Sequence, residues 1–151
     1  MATFNDGHVS FQYPVDWAVH KDTEFGQIFI NYAEAIAGSD ITAVRLVIQY
    51  AAEADPDPGD NDLGNEMLKS AMSQVTEEKD MTSLGVIENF SGRRVSGLIA
   101  GTPVAGFTAH VRMPTPFEED FLNIHGVVIS GHFAEVHAPA VKEIVDSLRL
   151  T

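Results

Sequence analysis

The chain has 151 residues, 44% of them hydrophobic and 21% charged, which is the make-up of one soluble globular domain with room for its own core. Nine Lys and Arg face 22 Asp and Glu, a formal net charge of −13, and a field of that sign repels nucleic acid and anionic lipid. Cysteine is absent, which excludes disulfides, iron–sulfur clusters, thiolate zinc and cysteine catalysis. No apolar run reaches the ~18 residues of a membrane span. Met1 to Gly7 lacks the basic and apolar regions of a secretory leader. A cytoplasmic location is expected for the sequence as written, and an extracytoplasmic one if a leader was trimmed. Residues 1–151 are read as a single domain.

Val9, Phe11 and Tyr13 alternate with Ser10 and Gln12, the period of a half-buried strand, and Pro14 stops the ladder because it has no N–H to donate. Trp17 to His20 reads as a short second strand. Gly26 to Tyr32 and Val44 to Ala51 read as a third and fourth, on alternation and β-branched content. Glu53 to Asp62, with two prolines and several aspartates, reads as a loop whose Asp60 or Asp62 caps a helix. That helix runs to about Thr76, with Leu63, Met67, Leu68, Ala71, Met72 and Val75 as its apolar stripe. Ser83 to Phe90 and Arg93 to Ala100 read as strands flanking a Ser91-Gly92 hairpin turn. Ala105 to Met113 is a further strand and Pro114 to Asp120 a loop. Phe121 to Ser130, apolar on both faces, is expected to be central. A helix from about Pro139 to Leu148 closes the chain. Short connections favour antiparallel pairing. The expected class is α+β: an antiparallel sheet of about six to eight strands sandwiched between helices.

Gly7-x-x-x-Phe11-x-Tyr13-Pro14-x-x-Trp17, the Gly92-x-x-x-x-Gly97 segment and the terminal Ile144-Val145-x-Ser147-Leu148 together resemble the PsbP-like domains, over nearly the whole chain. Each of these is a packing or turn device. The resemblance implies an antiparallel sheet between helices. It also implies a binding scaffold of the kind found in photosystem assembly subunits, a Ran-binding factor, envelope lipoproteins and secretion chaperones. It implies no catalytic residue and no cofactor.

The constellations that carry chemistry are thin. Asp55, Asp57 and Glu66 fall at positions 1, 3 and 12 of a calcium loop, but position 6 is Asp60 where glycine is required. Six histidines include no H-x-x-x-H or H-E-x-x-H spacing. Ser130 beside Gly131-His132 lacks the strand-to-helix elbow of a serine hydrolase. Glu118-Glu119-Asp120 is a polar turn with nothing apolar to raise a pKa. Arg93-Arg94 with Arg112 is too little basic surface for nucleic acid. Strand parity suggests one ligand- or partner-binding face, carrying His110, Arg112 and, if the two strands pair, His125. The expectation is a non-enzymatic accessory or chaperone-like domain that binds other polypeptides, through exposed sheet surface or a homodimer contact. The alternative is a small-ligand or divalent-ion-binding domain using the His110, Arg112 and His125 face.

Overall fold

Two sheets account for most of the chain in a computed structural model, which describes residues 1–24, 26–52, 58–117 and 124–150, the side chains of 51–64 and 112–131 excepted. β1 (Ala2–Asn5) and β2 (Val9–Tyr13) form a hairpin, and β10 (Arg149–Leu150) pairs with the other side of β2. β3 (Ala18–Asp22), β4 (Gln27–Ala35), β5 (Thr42–Ala52), β6 (Gln74–Asp80), β7 (Phe90–Ile99), β8 (Thr102–Phe117) and β9 (Ile124–Ala134) build a seven-stranded sheet in the order β3-β4-β5-β9-β8-β7-β6. Every pairing is antiparallel. β9 is the central strand, as its two-sided apolar sequence requires. α1 (Pro58–Ala71) links β5 to β6, and α2 (Ala138–Ser147) follows a 3-10 turn at Glu135–His137.

The antiparallel α+β class holds, but the covering layers differ from a plain pair of helices. α1 lies against β7, β8 and β9 on one face. On the other face α2 shares the layer with the three-stranded sheet and packs chiefly on β2. Alternation explains both contacts. Ile28, Ile30, Val44, Leu46, Ile48, Phe107, Ala109, Val111 and Phe133 point to the α2 side, where they meet Val9, Phe11, Val141, Ile144 and Leu148 in the main core. Each such large side chain contributes about 1.5–3 kcal/mol when fully buried. Trp17, 7% exposed, belongs to this core and stacks obliquely on Tyr32 at 5.9 Å. The α1 side holds a smaller cluster of Ile36, Ala43, Met72, Val95, Ile99 and Val104.

Several expectations need correction. Residues 58–62 are helical, so Asp60 and Asp62 lie inside α1 and do not cap it; Pro58, with φ preset for a helix, opens the first turn. α1 ends at Ala71, and Gln74–Asp80 is the edge strand β6. Leu68 and Met72 are buried as the stripe predicts, whereas Met67 is 66% exposed. Residues 83–89 form no strand, and Phe90 already belongs to β7; a Leu84–Ile87 bridge closes a tight turn there. Ser91-Gly92 is no hairpin turn. Gly92 lies within β7, where a Cβ would sit 2.6 Å from the Thr108 carbonyl oxygen and 2.9 Å from Met81 Sδ. The turn comes at Ala100-Gly101, both at positive φ (50° and 79°), between the closing pair Ile99 and Thr102. That is the two-residue geometry that matches strand twist. β8 continues through Pro114–Phe117, which were expected in a loop. The expected loop residues 53–57 and 118–120, with Asp55 and Asp57, lie outside the described residues, as does the start of the 121–130 strand.

Candidate binding site

The cross-strand register decides which of the expected residues can meet. His110 lies opposite Val128 on β9 and Ser91 on β7, and Arg112 lies opposite Gly126 two positions further along. His110 and Arg112 therefore share a strand face, as strand parity predicts. Gly126 pairs with Ala51 while Ile124 pairs with Ala52, so His125 is the extra residue of a bulge on β9. Val128, the residue opposite His110, is three positions from His125. The side chains of Arg112 and His125 lie outside the described residues.

His110 sits on the α1 side of the sheet, and the register brings other polar groups there. Thr108 is fully buried. His132 lies opposite Arg45 on β5 and Gly106 on β8. Asn65 of α1 is buried and donates through Nδ2 to Glu78 Oε1 at 2.7 Å, while its Oδ1 has no partner among the described residues. His132 Nε2 is likewise buried without a partner there. Burial, and then the charge of Arg45, hold the His132 imidazole below its usual pKa, so the ring is neutral at pH 7. Glu78 gathers Asn65, Lys69 and Arg93, which ties α1 to β6 and β7. The hydrogen bond from Asn65, with the neighbouring cations, keeps its carboxyl below the usual range.

Beyond the reach of α1 the same face changes character. Its rows run His20–Phe29–Val47 and Ala18–Asn31–Arg45 across β3, β4 and β5. His20 and Arg45 are exposed, and Phe29, Asn31 and Val47 are half-buried. The Arg45 guanidinium lies over the Phe29 ring, 5.4 Å from its centre, a cation–π geometry. Arg45 has no carboxylate partner among the described residues.

A second polar node joins the two sheets. Asp6, in the β1–β2 turn, accepts through Oδ1 from the backbone N–H of His8 (2.9 Å) and of Val9 (2.8 Å). Its Oδ2 accepts from Lys21 of β3 at 3.1 Å and from the Tyr50 hydroxyl of β5. The Asp6 side chain is 4% exposed. Burial pushes its pKa up, but the Tyr50 hydrogen bond, the two backbone donors and Lys21 outweigh it, and the carboxyl titrates below the usual range. Burial and the adjacent carboxylate push the Tyr50 phenol far upward, so it stays protonated. This node docks the hairpin; all four hydrogen-bond partners are spent on it. Sequence reading passed over Asp6, although an Asp-Gly pair between two alternating segments signals such a turn.

No family model matches the chain, and no curated protein matches it. The PsbP-like resemblance accordingly rests on the residues quoted for it. Among solved structures, LpqN, involved in cell envelope biogenesis of Mycobacterium tuberculosis, is similar over 99% of this chain and 90% of that one, with a TM-score of 0.47 and 14% identity.

Proposed function

We propose that this chain is a non-catalytic accessory or chaperone-like domain of the PsbP-like kind, and that it binds another polypeptide across the β3–β4–β5 part of the α1-side face. The observation that supports this reading is the Arg45–Phe29 stack on a strand surface that α1 leaves aside. Arginine and aromatic side chains dominate the energetic centres of protein interfaces. Arg45 offers a planar fork to a carboxylate, and Val47 and His20 extend the contact on either side of the ring. In a chain of −13, an exposed arginine without a described partner selects for a carboxylate on the other side.

The test is affinity capture from the native source with the chain and three variants. Arg45→Glu and Phe29→Ala are expected to lose the captured partner, and Glu88→Gln, on an exposed turn, to keep it. If the partner is a second copy, sedimentation reads a dimer that Arg45→Glu converts to monomer. Recovery of the same partner by Arg45→Glu and by the unaltered chain would overturn the reading.

A further inference from the structure

We propose that the cleft between α2 and the 81–85 segment binds a small organic anion with an apolar body, an alkyl or aryl carboxylate, whose head is held by Arg94. The cleft has a volume of about 480 Å³, within the ~300–1,000 Å³ range of small-molecule sites. Phe107 and Phe133 form its floor, and Met81, Val141 and Val145 stand along its walls. Such a lining takes an apolar body.

The margin supplies the charge. Arg94 lines the cleft and is exposed. Directly opposite it across the β6–β7 pair stands Lys79. Like charges placed opposite each other on adjacent strands destabilise a sheet. Lys79 is matched by Glu77 at 3.1 Å, but among the described residues no carboxylate pairs with Arg94. On the other wall Lys142 is matched by Asp146 at 2.5 Å, and both residues line the cleft. The unmatched charge at the margin is therefore that of Arg94, whose fork fits two carboxylate oxygens. A singly charged head suits the site, because the net charge of −13 penalises a polyanion far more than a monoanion. The binding face of the proposed polypeptide partner lies on the opposite side of the sheet, so the two proposals stand or fall separately.

Calorimetric titration of the intact chain with decanoate, and separately with decanol, tests the assignment. Decanoate is expected to bind at one site, to shift the backbone resonances of Phe107, Val141 and Val145, and to bind at least tenfold more tightly than decanol. Arg94→Gln is expected to weaken decanoate at least tenfold and leave decanol unchanged, with part of the loss restored in Arg94→Lys. The melting temperatures of the unliganded variants show whether the fold is intact. Absence of decanoate binding, equal affinity in Arg94→Gln, or decanol binding as tightly as decanoate would each overturn the proposal.

Discussion

On the α2 side of the seven-stranded sheet, Phe107, Ala109, Val111 and Phe133 meet Val141, Ile144 and Leu148 in one continuous apolar cluster. On the α1 side, Thr108, His110 and His132 lie among the described residues together with buried Asn65, and the described apolar cluster is the smaller one of Ile36, Ala43, Met72, Val95, Ile99 and Val104. The same strands serve both faces, so the contrast comes from alternate residues of one ladder. Burial of large apolar groups dominates stability. Among the described residues, the α2 side therefore buries the larger share of apolar surface, and the α1 side carries more of the buried polar groups. A face relieved of that task can hold side chains chosen for contact with something else.

The contrast can be broken most severely at Phe11, which is 1% exposed and stacks on Phe4 at 5.1 Å. Phe11→Ala is expected to cost about 3–5 kcal/mol by denaturant titration, against about 2 kcal/mol for Met72→Ala on the α1 side. Equal losses would erase the difference between the faces. Asp6→Asn comes next, at about 1–3 kcal/mol, because the docked hairpin loses charge-assisted bonds to Lys21 and Tyr50.

Its pH signature is separable from that of the α1 side. The folded pKa of Asp6 lies below the unfolded value, so its stabilisation is complete above about pH 4 and is lost as pH falls through the folded value. His132 is also depressed, and as a base it binds its proton more readily when unfolded. Its contribution is complete above about pH 6.5 and declines on acidification from there. His132→Leu, the smallest expected change, should lie within about 1 kcal/mol of the parent at pH 8, because it removes a buried nitrogen with no described partner. It should abolish the upper step of the stability–pH curve and leave the lower, while Asp6→Asn does the reverse.

Where burial imposes a period, the residues could be read directly. β2, β4, β5 and the terminal helix follow from alternation or from the Val141, Ile144 and Leu148 spacing, and β9 takes its central place from its two-sided apolar run. β6 escaped because Gln74–Asp80 is exposed along its whole length, so no buried face imprints a pattern. Its charges suit an edge strand, which they protect from pairing with other chains. Leu84, Val86 and Ile87 imitated a strand, yet Val86 is 58% exposed in a turn. Gly92 carries the signature of a turn residue, yet it serves the close approach of β8. The site divided in the same way. His110 and Arg112 occupy alternate positions of β8, which parity gives directly, whereas the register shift at His125 follows from pairing between distant segments. Arg45 over Phe29 and Arg94 beside Phe107 both required knowledge of cross-strand neighbours.

Trp17 has a practical consequence. It is the chain's sole tryptophan, and its indole lies edge-on to His137 at 6.4 Å, just where the 3-10 turn hands over to α2. Tryptophan emission thus comes from a single indole seated where β4, the post-β2 corner and the C-terminal segment converge. Spectral shifts during unfolding will gauge the undocking of that corner, which makes the molecule its own optical reporter without any added dye.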